Sequence, residues 1–444
     1  MLVPGLLGSA LHDTVTGDTI WGLEPRWLVR MLSRPSNALE ALKVTDEERD
    51  GRTGRVVPSP LKYPAFLPGF GGLPPYRGLL RSLREGRRPE TVREFSYDWR
   101  LPVAHNAGLL AKKVDELVSD LGNPRAEVVL VAHSMGGLLC QHLHTIPGAV
   151  ANVRNVVTLG TPFGGAAKAA AVLGGGTEIS GPPWLREELR QAAVTMPGLY
   201  DLLPTYRCVV RGHDLTRLTA SDIAGLGGDA GLAANALRTR TELRDTLMTG
   251  HHALLGVEQP TVSSLDLTDG TVHGLPHTYV PVSADSVARE PDGTLTTLPG
   301  LGDGTVPRNA SLPAADTART PVALQHLPMA SADVAITITR DIVVHGKADF
   351  GPRLGAGDLG MRVPDVVTPQ REWAVELTEA DPMLTTVRLI NVATATEIPG
   401  SHVHRRSGVL QSTVTVPTPG LYEVRVEGGG DAVTQYVLAE DPHE

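Results

Sequence analysis

The chain alternates between short apolar runs and longer stretches in which apolar residues recur every three or four positions. Residues 128–131 and 156–159 are β-branched and aliphatic runs, which is typical of strands buried on both faces. Residues 104–121 predict an amphipathic helix, with leucine and valine on one face at positions 109, 110, 114, 117, 118 and 121. Strands that alternate with helices predict a parallel sheet built from right-handed βαβ units.

The alternation stops after residue 162. Residues 163–275 contain glycine-rich loops and helical segments near 184–194 and 230–248, which predicts a helical insertion between strands of the sheet. The strand pattern is expected to resume at residues 279–282. Residues 333–339 close this part of the chain as a helix or a strand.

A third pattern begins after residue 346. The glycine-rich segment 346–365 has the composition of a linker, and a linker predicts few contacts between the parts that it joins. Short alternating strands follow, separated by turn residues, at 372–377, 386–391, 409–416, 422–427 and 433–439. This spacing predicts an all-β, sandwich-like domain over residues 366–444, and a first domain is expected to span residues 1–345.

Composition narrows the class of protein. A chain of 444 residues is expected to form two domains. The net charge of −9 gives nucleic-acid binding no electrostatic support, and no apolar run is long enough to predict a transmembrane segment. The first residues resemble the end of a strand and not a signal peptide, so a cytoplasmic location is expected. The strand-like start also leaves open that further residues precede Met1. Two cysteines do not make a disulfide framework.

Ser134 lies between the apolar run 128–131 and a second apolar segment that is typical of a helix. A serine at the tip of a sharp strand-to-helix turn is the nucleophile elbow of α/β-hydrolases. The turn requires small neighbours, and Ala132 and Gly136 are small, although Ala132 departs from the usual glycine. The alternative is that Ser134 is only the N-cap of a buried helix.

An activated serine needs a base and an acid, which follow it along the chain in the order acid, then histidine. Asp303 stands between two glycines and is the candidate acid, with an ordinary Asp-Gly turn as the alternative. His326 follows 23 positions later, beyond an expected strand, and is the candidate base. His345 competes with it. The fifteen histidines show no metal-ligand spacing, so neither a metal nor another cofactor is expected.

Two backbone amides must stabilise the oxyanion of an acyl-transfer reaction. Met135 supplies one in this interpretation because it follows the serine directly. Leu6 supplies the other, from the early loop Pro4-Gly5-Leu6-Leu7-Gly8, whose glycines allow the amides to turn inward. A second proline-glycine motif at residues 68–72 is the alternative loop.

Six motifs in these regions resemble the lecithin:cholesterol acyltransferase family. They read VPGLLGS (3–9), SYDWRLP (96–102), AHSMGG (132–137), LGTPFGG (159–165), YDLLP (200–204) and GDGTVP (302–307). The resemblance implies an α/β-hydrolase with Ser134, Asp303 and His326 as catalytic triad and Leu6 and Met135 as oxyanion donors. It also implies a lid at about residues 12–50 and a cap at about 165–275. It does not extend to the β domain, and the lid range lacks the cysteines of the family's secreted members.

The expected function is therefore a serine-dependent acyl-ester hydrolase or O-acyltransferase acting on lipid-like esters through an acyl-enzyme, with an alcohol as a possible acceptor. A small-ester or thioester hydrolase is an alternative. A non-catalytic lipid- or protein-binding module on the same scaffold is an alternative of another class. Trp21 and Trp27 could line an acyl pocket under the lid or could be ordinary core residues. The composition suggests a bacterial source, and the sequence names no partner for the β domain.

Overall fold

We describe the protein from a computed structural model. It describes residues 1–22, 35–49, 54–62, 65–67, 71–73, 76–175, 183–268, 270–283, 286–314, 317–346, 359–406, 408–428 and 432–440. Predictions that concern other residues, such as Trp27 and the start of the second proline-glycine motif at 68–70, lie outside this description.

A five-stranded sheet forms the centre of the first domain, which we call the catalytic domain because the predicted triad lies in it. Its order is Leu2–Val3, Val128–His133, Val153–Leu159, His251–Gly256 and Ala318–Val322, and every neighbouring pair is parallel. The strand residues Leu130, Val156 and Val157 are fully buried, because the sheet is covered on both faces. The predicted α/β-hydrolase fold with a parallel sheet is confirmed.

Helices lie against this sheet. Val103–Asp120 packs on Met135–Leu143, and Asp333–His345 packs on Arg77–Arg84 and on the strand Val153–Leu159. The apolar face of Val103–Asp120 is narrower than the sequence pattern predicts, since Leu110, Val114 and Leu117 are buried while Leu109 is exposed. Short 3₁₀ helices occur at Pro89–Thr91 and Pro328–Ser331.

The predicted cap range 165–275 needs a correction. It contains the strand His251–Gly256, which belongs to the central sheet. The pattern did not reveal this strand because it begins with two histidines and carries only three apolar residues before its final glycine. Tyr279, where the strand pattern was expected to resume, instead lies in the pair His277–Tyr279 and Thr297–Pro299.

The insertion itself contains both helices and strands. Its helices are Ala167–Leu173, Pro183–Ala193, Pro197–Tyr200, Ala220–Gly225 and Ala230–Leu243. Its four-stranded sheet has the order Asp214–Arg217, Arg207–Arg211, Ser264–Thr268 and Thr271–Leu275. Two-stranded pairs join Gln259–Pro260 to Leu301–Gly302 and Pro281–Ser283 to Ser286–Val287.

The predicted lid range is only partly described. An antiparallel sheet has the strand order Thr19–Trp21, Ser9–Asp13 and Val56–Pro60. The helices Pro35–Leu42 and Asp46–Arg49 lie in the chain between its second and third strands in sequence. Residues 23–34 and 50 lie outside the description. A further hairpin joins Ala65–Leu67 to Gly71–Leu73.

Two antiparallel-rich sheets make up the C-terminal part. One has the order Gly360–Arg362, Trp373–Thr378, Val409–Val414 and His404–Arg406, and the other Val366–Val367, Val433–Ala439, Gly420–Glu427, Thr386–Asn391 and Glu397–Pro399. Their inward side chains form one core that is separate from the core of the catalytic domain. The predicted sandwich-like β domain is confirmed, but it begins before residue 366, because Gly360–Arg362, inside the predicted linker, is one of its strands. The remaining linker residues 347–358 lie outside the description, so that part stays a prediction. Among the described helices, none is long and apolar enough to cross a membrane.

Candidate active site

Ser134 occupies a strained turn between a strand and a helix. The strand Val128–His133 ends directly before it, and the helix Met135–Leu143 begins directly after it. Its φ of 53° with ψ of −126° is a conformation that residues with a side chain rarely adopt. Ser134 therefore has the strained strand-to-helix backbone geometry that the sequence predicted for it.

Close backbone approaches explain the small residues around the elbow. A Cβ on Gly136 would lie 2.4 Å from the Val3 carbonyl oxygen, and a Cβ on Gly5 would lie 2.8 Å from the Cβ of Ser134. Real Cβ atoms do not come this close to other heavy atoms. The loop after the first strand therefore packs directly on the serine turn, and both glycines are needed for that contact.

The structure brings Ser134, His326 and Asp303 together in one hydrogen-bonded row. His326 Nε2 lies 2.8 Å from Ser134 Oγ, and His326 Nδ1 lies 2.7 Å from Asp303 Oδ2. All three residues are buried, although the serine and histidine are 192 positions apart in the chain. Nucleophile, base and orienting acid thus lie within the reach that proton transfer requires.

Backbone contacts orient the Asp303 carboxylate. Its Oδ1 accepts hydrogen bonds from the amides of Thr305 (3.0 Å) and Val306 (2.6 Å). Its carbonyl oxygen accepts a hydrogen bond from the His326 amide at 2.7 Å. Because Oδ1 is held by two amides, Oδ2 remains directed at the imidazole. The glycine that follows Asp303 has a φ of +86°, as the sharp turn requires.

His133 lies beneath the site and links its two halves. Its Nε2 lies 2.9 Å from the His326 carbonyl oxygen, which can only accept, so Nε2 carries the proton and donates. Its Nδ1 then accepts from the Tyr76 hydroxyl at 2.9 Å, and that hydroxyl accepts from the Gly5 amide at 3.0 Å. Burial, with a smaller contribution from the neighbouring His326, lowers the pKa of His133 to about 3 and keeps it neutral.

The two predicted oxyanion donors lie on either side of the serine turn. Met135 is the first residue of its helix, so its amide has no partner within that helix. In the loop 4–8 the amide of Gly5 is bonded to Tyr76, and the amide of Gly8 is bonded to the Gly5 carbonyl. Leu6 lies between these two, and within the described part of the chain its amide donates no hydrogen bond.

Three aromatic side chains hold the carbonyls of this early loop. Tyr97 donates to the Pro4 carbonyl (2.9 Å), Trp99 to the Ser9 carbonyl (3.2 Å) and Trp21 to the Leu7 carbonyl (2.9 Å). Trp21 and Trp99 also meet edge to face at 5.6 Å between ring centroids. Trp21 is fully buried, so it is a core residue and not part of an exposed lid face.

A buried ion pair lies in the motif SYDWRLP (96–102), which also contains Tyr97 and Trp99. Arg100 binds both carboxylate oxygens of Asp98, at 2.9 and 2.7 Å, and Glu48 at 2.9 Å. Its guanidinium is completely buried, and the paired carboxylates outweigh that burial and raise its pKa. The segment around Glu48, which belongs to the predicted lid range, is thereby attached to the catalytic core.

The other histidines lie away from the hydrogen-bonded row. His345 is the last residue of the helix Asp333–His345 and makes no hydrogen bond to Ser134 or Asp303 among the described residues. His251 pairs with Thr158, and burial lowers its pKa to about 3. His277 pairs with Tyr279, which lines a cavity of about 610 Å³.

Several residues that contact this site were not selected from the sequence. The sequence patterns assign no functional role to Tyr76, Gln259 or Gln325. Gln259 and Gln325 are buried between the site and the β domain. The one sequence signal was position, because Gln325 directly precedes His326.

The parallel sheet and the serine turn are those of the α/β-hydrolase fold, and the hydrogen-bonded row lies where that fold places its catalytic residues. Residues 78–222 match the family model described as Lecithin:cholesterol acyltransferase. The resemblance to that family, predicted from the sequence motifs, is confirmed over this part of the chain.

Curated relatives match part of the chain. Lysosomal phospholipase A and acyltransferase from Homo sapiens is 37% identical over 118 residues, which cover 24% of this chain and 28% of that protein. The enzyme of the same name from Rattus norvegicus is 36% identical over 118 residues, with the same two coverages of 24% and 28%. An uncharacterized protein of Saccharomyces cerevisiae is 26% identical over 174 residues, 36% of this chain and 23% of that protein. The match thus spans less than a third of these relatives.

Two solved structures are similar at low identity. The Tle4–Tli4 complex has a TM-score of 0.48 at 15% identity, covering 79% of this chain and 98% of that chain. Bacillus licheniformis lipase BlEst2 in its propeptide form has a TM-score of 0.30 at 14% identity, covering 77% of this chain and 66% of that chain. The fold assignment rests on the sheet topology described above and not on these two.

Proposed function

We propose that this protein is a serine-dependent acyl-ester hydrolase or O-acyltransferase that acts on lipid-like esters. Ser134 is the nucleophile, His326 the general base and acid, and Asp303 the residue that orients the imidazole. The observation that carries the proposal is the row from Ser134 Oγ through His326 to Asp303 Oδ2, with distances of 2.8 and 2.7 Å. A serine that served only as an N-cap would accept a hydrogen bond from a backbone amide of the helix with its side chain. The Ser134 side chain accepts no such bond and lies next to His326 instead.

The chemistry proceeds in two halves. Ser134 Oγ attacks the ester carbonyl carbon while its proton passes to His326 Nε2, and Asp303 stabilises the resulting imidazolium. The negative oxygen of the tetrahedral intermediate accepts hydrogen bonds from the amides of Leu6 and Met135, each worth about 2.7–4 kcal/mol. The carbon–oxygen bond to the leaving alcohol then breaks, the alcohol takes the proton from His326, and an acyl-serine remains.

The second half returns the enzyme to its first state. Water or an acceptor alcohol loses a proton to His326 Nε2 and attacks the acyl-serine carbonyl. The tetrahedral intermediate collapses, Ser134 Oγ takes the proton back from His326, and a carboxylic acid or a new ester leaves. No cofactor or metal takes part in these steps.

The lipid-like substrate is inferred from relatedness. The curated relatives are named as phospholipase A and acyltransferase, and the family model carries an acyltransferase name. Because the match covers only part of those proteins, the substrate is a proposal for this chain. A small-ester or thioester hydrolase is the competing catalytic function, and a binding module on the same scaffold is the non-catalytic one.

A fluorophosphonate probe tests the catalytic proposal first. The wild-type protein should be labelled at Ser134, while Ser134→Ala should not be labelled, since only an activated serine reacts. His345→Ala is the matched control for His326→Ala, and only the latter should lose labelling. A wild-type protein that is folded and unlabelled would favour the binding module.

An ester panel then separates the catalytic alternatives. Substrates should vary in acyl length and head group, with and without an alcohol acceptor, and the acyl products should be identified. Activity that rises with acyl length supports a lipid substrate, because each buried CH₂ adds up to about 0.8 kcal/mol. A flat profile favours a small-ester or thioester hydrolase. New ester in the presence of the alcohol assigns transfer, and free acid alone assigns hydrolysis.

A further inference from the structure

We propose that the C-terminal β domain contributes to the geometry of the catalytic site. Its backbone binds two buried glutamines of the catalytic domain, and these glutamines position Asp303 and His326. We call Gln259, Gln325 and the backbone of residues 359–361 the glutamine bracket. Gln259 and Gln325 belong to the catalytic domain, and the backbone segment begins the β domain. This inference rests on the proposed function, since it assigns positioning residues to the proposed triad.

Gln325 joins the base to the β domain. It directly precedes His326 and is buried. Its Nε2 donates one hydrogen bond to the Met361 carbonyl at 2.7 Å and another to Gln259 Oε1 at 3.1 Å. An amide nitrogen has two hydrogens, so both are used, and one of them crosses to the other domain.

Gln259 joins the acid to the same point of the β domain. It is completely buried. Its Oε1 accepts from the Met361 amide at 3.1 Å as well as from Gln325, and its Nε2 donates to the Leu359 carbonyl at 2.9 Å. Its backbone pairs with Gly302 and forms a bridge to Asp303. The side chain therefore binds the β domain while the main chain binds the segment that carries the acid.

The turn after Asp303 rests on the bracket. The Gly304 amide donates to Thr261 Oγ1 at 2.9 Å, and that hydroxyl donates to the Gln259 carbonyl at 2.8 Å. A Cβ on Gly304 would lie 2.3 Å from Gln325 Oε1, so the amide of Gln325 lies directly on this turn. Gln325, which directly precedes the base, therefore also contacts the turn that follows the acid, while the backbone of Gln259 supports the same turn through Thr261.

The β-domain side of the bracket is part of a sheet and not a loose tail. Gly360–Arg362 pairs antiparallel with Trp373–Thr378, and Met361 is buried in the β-domain core. A Cβ on Gly360 would lie 2.8 Å from the Glu258 carbonyl, so the strand packs closely on the residue before Gln259. Few contacts were expected across the linker, and the structure instead has hydrogen bonds between backbone and buried amides there.

Hydrogen bonds, more than apolar packing, set the position of the catalytic segments here. A cavity of about 390 Å³ lies between the domains, with Gln325, Met361 and Lys168 in its lining. Apolar packing is incomplete beside such a cavity, so the directional amide bonds determine where the segments lie. A small displacement of catalytic groups lowers the rate strongly, by about 100-fold for 1 Å.

Gln325→Met tests the proposal in the full-length protein, since methionine keeps the length of the side chain and removes both donors. Gln435→Met is the matched control, because Gln435 lines the same cavity and belongs to none of the contacts above. For each protein, fluorophosphonate labelling gives the number of reactive sites and the rate constant per site, and ester hydrolysis gives kcat and KM. The pH profile of kcat is recorded over the same range.

Positioning predicts a specific pattern in Gln325→Met. The number of reactive sites stays near that of wild type, the labelling rate constant and kcat fall 10- to 100-fold, and KM changes less than threefold. The pH profile of kcat shifts, because the contact between His326 and Asp303 is altered. Gln435→Met behaves as wild type. Gln325→Asn, which keeps the amide on a shorter chain, recovers part of the lost rate.

A second variant covers the case in which Gln325→Met does not fold. Gln259→Met breaks the bracket from the acid side and should lower kcat in the same way. Where both single variants fold, the double variant should lose little more than the worse single one, since both belong to one network. Unchanged labelling rates in both single variants, or fewer reactive sites that each react at the wild-type rate, would overturn the inference. Failure of wild type to label at Ser134 would instead overturn the proposed function.

Discussion

The site has two sides that are built in different ways. The serine side consists of residues 3–9 and 132–137, and the histidine side consists of residues 256–261, 301–307 and 324–328. On the serine side, a strand, a turn and a helix follow each other directly. Glycines there allow the early loop to pack against the backbone of the serine turn. On the histidine side, the segment that carries the acid and the segment that carries the base are far apart in the chain, and buried amides and the β domain hold them together.

The difference shows how far local geometry suffices. A strained turn can be encoded by a few neighbouring residues, because sterics act within the turn itself. A histidine and an aspartate from different loops need contacts that fix both loops in a common frame. His133 connects the two frames, since it binds the His326 carbonyl on one side and, through Tyr76, the Gly5 amide on the other.

Removing the nucleophile gives the largest expected effect. Ser134→Ala should lower kcat for a short p-nitrophenyl ester by about 10⁴-fold or more, while circular dichroism and thermal unfolding stay close to wild type. The elbow tolerates a smaller side chain, so stability is preserved. Retention of more than a few per cent of wild-type turnover would contradict the assignment of Ser134.

Removing the base should cost nearly as much. His326→Ala is expected to lower kcat by about 10³- to 10⁴-fold, because serine and base act as a unit. His345→Ala should leave turnover nearly unchanged, since His345 ends a helix outside the row. The reverse result in the same assay would move the base to His345.

Two glycine variants compare the sides directly. In Gly136→Ala the new methyl meets the Val3 carbonyl at 2.4 Å, and in Gly256→Ala it meets the Asp303 side chain at 2.2 Å. Backbone cannot move aside, so Gly136→Ala should lower the unfolding free energy by at least about 1–3 kcal/mol. Gly256→Ala should instead displace the acid and lower kcat by about 100-fold. Equal effects of the two variants on stability and on kcat would remove the distinction between the sides.

The pH dependence of stability tests the connection through His133. Its pKa is about 3 in the folded protein, and about 6.5 is expected in the unfolded chain. As the pH falls below 6.5, the unfolded chain binds a proton that the folded protein refuses, so stability is lost. Relative to His133→Gln, wild type should lose about 2 kcal/mol between pH 7 and pH 5.

Urea unfolding of both proteins at several pH values measures this difference. Other buried groups titrate in both proteins and cancel in the comparison. Glutamine can still accept from Tyr76 and donate to the His326 carbonyl, so the contact itself is retained. Parallel stability curves for the two proteins would mean that His133 is not held neutral by burial.

The smallest effect is expected at the early loop. Trp21→Phe keeps the buried ring and removes the hydrogen bond to the Leu7 carbonyl. The loop loses one of three aromatic anchors, so kcat should fall only a few-fold, by less than about 1.5 kcal/mol of transition-state stabilisation. The ratio of long-chain to acetyl ester turnover should not change, because Trp21 lies in the core. A selective loss of long-chain activity would return Trp21 to an acyl pocket.

Much of the fold followed from sequence patterns, with clear exceptions. The apolar runs at 128–131 and 156–159 and five of the nine described strands of the β domain were predicted close to their observed bounds. The strand His251–Gly256 was missed, because a short apolar segment after two histidines has no strand period. The predicted cap range consequently included a strand of the central sheet.

The sequence by itself determined the elbow at Ser134, the choice of Asp303 and His326 as candidates, and the early loop with Leu6. Each of these has a signature within a few residues, or a fixed order along the chain. Only the tertiary structure placed Trp21 in the core, made His133 a link, and put Gln259 and Gln325 against the β domain. A buried amide has no local signature, because its partners are 36 to 102 positions away in the chain. Folding alone decides which of the seven glutamines are buried away from water and must find hydrogen-bond partners inside the protein.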